Sequence, residues 1–484
     1  MSIKLKFKLS TLLIAFLVFS LVLGWFSACL KNARLEKEVI ENLTAVVANV
    51  DAEATVSVFY DYQFEGMHKL EQGFFGTSAY ENQYNASKEL SWNWIRNYFQ
   101  LPNLFQQIIE IRIEFPSRTT DRVSTIAEIR SLSSLKGLRT IIITEKPRRR
   151  WSGRTSKHLP SNKFVVRNLD LRGLKKLTRL DVECCDHIQL DSFSSIRSVR
   201  AGRRVIDSLP LDEMRSLEEL IVFDSGTVKS LEEFSVLRNL EKFQLACDRI
   251  DSIDGLQKLP CLKILGLNCN SVKDQSELHK LSTLKGLQWL TILNCESLTN
   301  LSCLPQFEKL SHLNCEQCRN LSNVDALSNF RNLEFVHLGS TNLHSLAGIS
   351  NLPKLKELTL RGCPCETLKG VKHLPNLETL NITGCEALVD IEDLSIAVNL
   401  KRLYAMWCPK VQSANVLSQL PSLEFVNLAL PMEQYDNGYL DVSGLRELSQ
   451  TIELQFNNRR ISQSDIKWMK KRFPKFRHEK PRGR

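Results

Sequence analysis

The reactive residue type that stands out in this chain is cysteine, of which there are 14. Two pairs have a spacing that could bind a metal: Cys315 and Cys318 form a C-x-x-C pair, and Cys363 and Cys365 lie two residues apart. A structural zinc site needs about four ligands, and neither pair is joined by a second C-x-x-C pair or by a nearby pair of histidines. The sequence therefore predicts neither a metal site nor a bound cofactor.

Sequence motifs for catalysis are missing as well. The chain contains no G-x-S-x-G, no P-loop and no H-E-x-x-H. His312 and His337 could approach each other, but as lone histidines without carboxylate partners they are interpreted as polar surface residues. We therefore predict that the chain is not an enzyme. A hydrolase in the region from Thr55 to Phe115 is the enzymatic alternative.

The elements that would position these residues follow a regular repeat. Residues 377–388 have the sequence L-E-T-L-N-I-T-G-C-E-A-L, which matches the leucine-rich repeat signature L-x-x-L-x-L-x-x-N/C-x-L. Each unit is predicted to be a short strand, a turn and a return segment, so the fold class is an α/β solenoid with a parallel sheet on its concave side. The first leucines of ten units follow one another at intervals of 22 to 25 residues: Leu217, Leu240, Leu262, Leu287, Leu310, Leu333, Leu355, Leu377, Leu400 and Leu423.

One position of the repeat, in the turn after the strand, is predicted to point into the stack. It holds Asn270, Cys295, Cys318, Thr341, Cys363, Cys385 and Cys408. A buried cysteine is a small hydrophobic residue with a weak S–H donor, which suits a ladder inside a solenoid. We therefore expect free buried thiols at these cysteines, and at Cys315 in a strand, rather than disulfides. In the strand before Cys363, alternation sends Leu358 and Leu360 inward and Thr359 outward.

The start of the chain is predicted to contain a membrane anchor. A short basic tail, residues 1–8, precedes the uncharged segment 9–30. As a helix this segment would be about 33 Å long, enough for a hydrocarbon core of about 30 Å. The alternatives are a cleaved signal peptide and a lipoprotein acylated at Cys29. Because the tail is short, we expect the N-terminus in the cytoplasm and the repeats outside it.

The segment after the anchor, residues 31–52, is predicted to be an amphipathic helix. Its apolar residues recur every three or four positions: Leu35, Val39, Leu43, Val46 and Val50.

Three further regions complete the predicted organisation of the chain. A small α+β cap at residues 53–134 contains strands at 55–64 and 108–115, a loop at 66–87 and a helix at 90–99. The repeat array occupies residues 135–460 and begins with degraded units, as expected of terminal coils. Residues 461–484 are predicted to form a capping helix and a basic tail.

The order of these segments resembles a known family. A basic start, a hydrophobic helix ending near Gly24 and Trp25, a charged helix, a strand leading into Tyr60-Asp61-Tyr62-Gln63, a tryptophan-led helix and then short repeats are similar to the membrane-anchored leucine-rich repeat proteins of planctomycete bacteria. The resemblance covers essentially the whole chain and implies an envelope-associated protein without an assigned activity. The ladder cysteines and the insertion K-P-R-R-R-W-S-G-R at residues 146–154 depart from the family pattern.

The outward positions of the strands, on the concave face, supply the candidate binding residues. Exposed aromatic residues clustered on one face often mark a protein or ligand contact. The same side chains could instead pack sideways on neighbouring coils. The candidates are Trp289, His312, Phe335, His337, Arg361, Tyr404, Met406 and Phe425.

The predicted function is recognition by a membrane-tethered, non-enzymatic protein at the cell envelope, with a protein or an envelope polymer as partner. A structural envelope protein with little binding specificity is the alternative. The net charge of +10 is concentrated in runs at residues 146–157 and 467–484. One run is an insertion and the other combines a capping helix with a tail, so we do not predict nucleic-acid binding.

Overall fold

The computed structural model describes residues 20, 31, 34–48, 55–60, 108–115, 124–129, 132, 135–145, 164–223, 226–346, 348–428, 440–456 and 461–478. Apart from residue 20, the predicted anchor at 9–30 lies outside this set, as do the predicted loop at 66–87, the helix at 90–99 and the insertion at 146–154. Among the residues described, no helix has the length and apolar character needed to cross a bilayer.

The chain forms two compact units, residues 1–216 and 217–484. The strands of the first unit are β1 Thr55–Tyr60, β2 Ile108–Phe115, β3 Ser124–Ile129, β4 Thr140–Glu145, β5 Phe164–Asp170, β6 Arg179–Val182, β7 Cys185–Gln189 and β8 Ser198–Gly202, followed by a helix at Arg203–Ser208. The strands β2, β4, β6 and β8 pair in parallel in that order, and β1 pairs antiparallel to β2. A second parallel sheet contains β3, β5 and β7, so the return segments of these coils are also strands.

An apolar column holds the main sheet of this unit together. Ile111, Ile141, Leu180 and Val199 are successive partners across β2, β4, β6 and β8, and all four are buried. Cys185 falls at the turn position of the repeat signature, but it begins β7 instead, since the return segment here extends as a strand. Burial of alternate apolar residues thus fixes the register of these coils.

The second unit repeats one simpler coil. Its strands are β9 Glu219–Phe223, β10 Thr227–Val228, β11 Lys242–Ile250, β12 Ile264–Val272, β13 Trp289–Leu293, β14 His312–Asn314, β15 Phe335–His337, β16 Glu357–Thr359, β17 Thr379–Asn381, β18 Arg402–Tyr404, β19 Phe425–Asn427, β20 Glu453–Phe456 and β21 Arg477–His478. The return segments contain short 3-10 helices at Glu232–Val236, Leu256–Lys258, Gln275–Thr283, Asp325–Asn329, Lys369–His373, Glu392–Ile396, Asn415–Gln419 and Ser443–Glu447.

A continuous parallel sheet runs through this unit from β9 and β11 to β21. Leu290, Leu313, Val336 and Leu358 are successive partners on its inward side, and all are buried. Leu358 and Leu360 are each 0% exposed, which confirms that the leucines of the repeat point inward. The predicted solenoid with a parallel sheet is therefore confirmed.

A helix at Gln463–Arg472 follows the last coil. The side chain of its N-cap, Ser462, accepts a hydrogen bond from the Asp465 N–H at 3.0 Å, as expected of a serine at this position. Ile466, Met469 and Phe473 are buried, so the apolar side of this helix is covered.

The helix near the N-terminus differs in part from its predicted pattern. Residues 34–48 are helical, and Val39, Leu43 and Val47 are buried at a spacing of four. Leu35 and Val46, predicted on the same apolar face, are each 40% exposed. The buried stripe is therefore narrower than predicted: residues four apart lie above one another on a helix, which places Val46 beside the stripe, and Leu35 lies near the first residue of the helix.

Candidate binding surface

Six successive coils of the second unit, from β13 to β18, turn at a residue in the left-handed backbone region. The φ angles of these residues lie between 57° and 76°, where glycine is favoured because it has no Cβ. The residue precedes the ladder position of its coil in every case: Asn294, Gln317, Ser340, Gly362, Gly384 and Trp407. This reversal directs the next side chain into the stack.

The ladder thiols donate hydrogen bonds to carbonyl oxygens of the neighbouring coil. The Sγ–O distances are 3.1 to 3.2 Å for Cys318 to Ile292, Cys363 to Leu338, Cys385 to Leu360 and Cys408 to Ile382. Thr341 lies in the same position and its Oγ1 donates to the Leu338 carbonyl at 2.7 Å. The ladder therefore gives inward carbonyl groups near the strand ends a partner, and its free thiols confirm the prediction for these cysteines.

The ladder differs from its prediction in one coil. Asn270 is half-exposed, and the inward position is taken by Cys269, which is 1% exposed. The reason is the length of β12, which continues the alternation of Leu265 and Leu267 as far as Cys269 and beyond. The Cys269 thiol contacts that of Cys295 in the next coil.

The buried thiols are poorly placed for chemistry. Loss of hydration on burial raises the pKa of Cys318 and of Cys408 to about 12, so both remain protonated at neutral pH. A hydrogen bond with Cys269 lowers the pKa of Cys295, but Cys295 is only 1% exposed. Across the described parts of the chain, no three His, Cys, Asp or Glu side chains are grouped as metal ligands.

A stack of three rings occupies the outward side of β13, β14 and β15. Trp289 and His312 have ring centroids 4.2 Å apart and planes 13° apart, and His312 and Phe335 have centroids 4.3 Å apart and planes 11° apart. The three residues are direct partners across the sheet and each is half-exposed. The rings thus form one continuous strip over three coils, which we call the ring stack.

A histidine and a carboxylate lie next to the ring stack. His337 Nε2 is 3.3 Å from Oε1 of Glu357 on the next strand, so the prediction that His337 has no carboxylate partner was wrong. The contact with His337 is the main reason that the pKa of Glu357 is lowered. Burial lowers the pKa of His312 below its ordinary value, and the nearby Glu334 carboxylate opposes this effect.

The remaining candidate residues lie on the same face, further along the unit. Tyr404 and Phe425 have ring centroids 5.0 Å apart with planes tilted by 42°. Met406 is half-exposed and Arg361 is exposed. The structure therefore gathers the ring stack and the Tyr404 and Phe425 pair on one side of the sheet, separated by polar and charged coils.

Two residues of this surface were absent from the predicted set. Glu357 and Arg402 occupy the same column as Trp289 and Phe335, and the guanidinium Nε of Arg402 donates to Thr379 Oγ1 at 3.4 Å. Aligning the repeats by their first leucines would have identified both, since each lies two residues after such a leucine. The predicted set omitted both residues because it consisted mainly of aromatic side chains.

The sequence and the structure both resemble known leucine-rich repeats. The profile of the family described as "Plant disease resistance protein RPS2-like, leucine-rich repeats" matches residues 262–412. None of the curated proteins matches the sequence at a significant level.

Among solved structures, an internalin (inlF) from Listeria monocytogenes is 17% identical, with a TM-score of 0.38, over 74% of this chain and 92% of that one. A leucine-rich repeat protein of Leptospira interrogans is 16% identical, with a TM-score of 0.45, over 76% of this chain and 89% of that one. The functional domain of InlJ from Listeria monocytogenes, described as including a cysteine ladder, is 18% identical, with a TM-score of 0.38, over 70% of this chain and 66% of that one.

The stacked coils and the matched family profile define the class of the molecule. Each coil of the second unit contributes one strand to a parallel sheet and buries its leucines, and residues 262–412 carry the sequence pattern of the profile. The chain therefore has a leucine-rich repeat fold. The candidate binding residues lie on the outward side of its sheet.

Proposed function

We propose that the outward side of the sheet in the second unit binds a protein or a polymer partner at the cell envelope. The observation that carries this proposal is the ring stack, in which Trp289, His312 and Phe335 remain half-exposed across three coils. Aromatic side chains supply much of the binding energy of interfaces because they bury a large area with few rotatable bonds. Tyr404 and Phe425 provide a second aromatic group on the same face.

The packing between rings is compatible with this role. The rings contact each other sideways, as the alternative interpretation of the sequence expected, but their outer edges remain accessible. Mutual contact fixes the ring orientations before a partner arrives, and so lowers the entropy lost on binding. Glu357, Arg361 and Arg402 place charges between the two aromatic groups, which would set the orientation of the partner.

The proposed location is the membrane, with the uncharged segment 9–30 as a signal anchor and the repeats outside the cytoplasm. The proposed role is non-enzymatic. The thiols in the ladder are buried and the histidines of the sheet face contact rings or a carboxylate, so these residues are already used in packing and pairing.

A capture experiment tests the binding surface. The full chain is immobilised and exposed to detergent-solubilised envelope material, and the retained components are quantified by mass spectrometry. We expect the triple variant Trp289→Ala, Phe335→Ala, Tyr404→Ala to lose a partner retained by the native chain, with an unchanged circular dichroism spectrum.

The matched control removes three exposed apolar residues from a return segment: Val389→Ser, Ile396→Ser and Val398→Ser. We expect this variant to retain the partner. If the two variants retain the same components as the native chain, the sheet face is not the binding surface, and a structural role with little specificity becomes the better explanation.

A further inference from the structure

The imidazole of His312 is enclosed by aromatic rings on both of its faces. The Trp289 ring lies 4.2 Å away on one side and the Phe335 ring 4.3 Å away on the other, measured between centroids. The edge of the imidazole remains available, and Nδ1 lies 2.8 Å from Ser311 Oγ. A proton can therefore reach the ring edge while both faces stay covered.

The charged groups near His312 come from one side. Strand β15 and the residue before it contribute His337 and Glu334, and β16 contributes Glu357. On the β13 side, Gln288 and Thr291 are uncharged. Burial is the largest influence and lowers the pKa of His312 below 6.5, the two carboxylates oppose it, and His337 adds to it. The imidazole is therefore harder to protonate than that of a free histidine, and it takes up a proton in acid.

We propose that the ring stack is a proton-operated element of the sheet face, in which acid converts His312 into a cation held between the faces of Trp289 and Phe335. The proton comes from the solvent and adds to an imidazole nitrogen, and no other bond changes. Attraction between the cation and the two ring faces favours the protonated state, whereas partial burial disfavours it. The surface gains one positive charge beside Glu357 and His337.

This charge would lie within the surface assigned to the partner, so partner affinity would depend on pH. That consequence rests on the proposed function. The titration of His312 does not, because it requires only the geometry of the ring stack.

Tryptophan fluorescence of the full chain tests the titration directly. The chain has 7 tryptophans, so the contribution of Trp289 is obtained as the difference between the native chain and Trp289→Phe. A protonated imidazole in contact with an indole quenches its emission. We expect the Trp289 contribution to be lost on acidification, with a midpoint below the ordinary histidine pKa of about 6.5.

Variants of the histidines identify the titrating group. His312→Phe keeps a ring between Trp289 and Phe335 but cannot take up a proton, so the transition should disappear. His373→Gln removes an exposed histidine of a return segment and should leave the transition unchanged. If the transition persists in His312→Phe, or if the native chain shows none while its circular dichroism is constant, the proposal is wrong.

A second measurement covers the case in which His312→Phe folds poorly. The ring carbons of histidine in the native chain can be followed by NMR during the same pH titration, and one resonance should move with a midpoint below about 6.5. The result of the pH titration can be interpreted independently of the result of the capture experiment. A missing titration with capture lost in the triple variant refutes only this inference, whereas a clear titration with unchanged capture refutes only the proposed function.

Discussion

At the scale of single residues, a positive φ angle at the turn precedes the ladder side chain in six successive coils. Four of the six turn residues carry a side chain, namely Asn294, Gln317, Ser340 and Trp407, although φ is positive at each. A left-handed conformation costs a residue with a Cβ about 1–2 kcal/mol. The stack tolerates this cost because sheet pairing and burial fix the turn from both sides.

Replacing glycine at such a turn isolates the backbone contribution. Gly384 has a φ of 76°, and a Cβ added there would meet Gly362 atoms at 3.6 Å, an ordinary contact distance. We expect Gly384→Ala to lower the free energy of unfolding by about 1 kcal/mol, the left-handed cost less the entropy that alanine removes from the unfolded chain. Urea denaturation measures this change.

The control for this substitution is Gly286→Ala, a half-exposed site where an added Cβ lies 3.6 Å from the Leu262 carbonyl oxygen and φ is not in the left-handed range. We expect a change within about 0.5 kcal/mol. If both variants lost the same free energy of unfolding, a Cβ in the left-handed turn would have no energetic cost of its own.

The ladder thiol of Cys385 makes a second test at this scale. Cys385→Ala removes the hydrogen bond from Sγ to the Leu360 carbonyl, 3.2 Å long, and leaves a small cavity. That carbonyl still accepts from the Cys363 N–H at 3.0 Å, so it is not left without a partner. We therefore expect the free energy of unfolding to fall by about 1–2 kcal/mol, near the lower end of the range for truncating a buried side chain.

Thermal denaturation of Cys385→Ala should be compared with that of Cys261→Ala, which removes the exposed thiol. The second change should alter the free energy of unfolding by less than about 0.5 kcal/mol. If Cys385→Ala changed the free energy of unfolding as little as Cys261→Ala does, the hydrogen bond of the ladder thiol would not contribute to stability.

At the scale of elements, the sequence predicts the strands of the second unit well because their leucines recur at a nearly constant interval. Leu290 and Leu358 occupy the inward side, as alternation requires. The return strands β3, β5 and β7 were not predicted, since the degraded units around them give no periodic reference. The inward placement of Asn270 was also wrong, because it depends on where β12 ends, and pairing with β11 extends this strand to Val272.

The sequence predicted the positions of the candidate binding residues on their strands, but not the contacts between them. The repeat predicts that Trp289 and Phe335 occupy equivalent outward positions on their strands. It does not predict that their rings stack on His312 in nearly parallel planes, because ring orientation depends on the neighbouring side chains. The pair of His337 and Glu357 joins neighbouring columns in adjacent coils, a diagonal relation that a single repeat does not display. Contacts between side chains of neighbouring coils were therefore not predicted from the sequence.

The C-terminal helix gives a prediction at this scale. Met469 is fully buried on the apolar side of the helix at Gln463–Arg472, next to Phe473. Met469→Ala should lower the free energy of unfolding by about 2–4 kcal/mol, because it removes most of a buried side chain. Lys470→Ala, on the exposed side, should change it by less than about 0.5 kcal/mol. If the denaturation midpoints of the two variants coincide, the apolar side of the helix is not packed as described.

At the scale of the whole molecule, stability arises from repetition rather than from one enclosed core, and the proposed binding surface is repetitive as well. Partners in the sheet of the second unit lie about one repeat apart in the chain, so each added coil contributes the same kind of interface. Such a sheet offers a long row of outward side chains, on which spaced aromatic groups can contact an extended partner. Recognition over several coils thus fits this architecture better than chemistry at one point.

The last prediction concerns the proposed anchor at residues 9–30, which would hold the proposed binding surface at the membrane. If residues 9–30 form a retained signal anchor, the chain should remain with membranes after an alkaline wash, and its N-terminal peptide should include residues before position 9. Leu17→Arg with Leu21→Arg places two charges near the centre of the segment, each costing about 2.5–3.5 kcal/mol in a membrane helix, and should release the chain from the membrane fraction. Leu17→Ile with Leu21→Ile is the matched control and should stay bound. Mass spectrometry of the N-terminus separates the three possibilities, because a peptide starting near position 29 would indicate a cleaved signal, and a lipid on Cys29 that is lost in Cys29→Ser would indicate a lipoprotein.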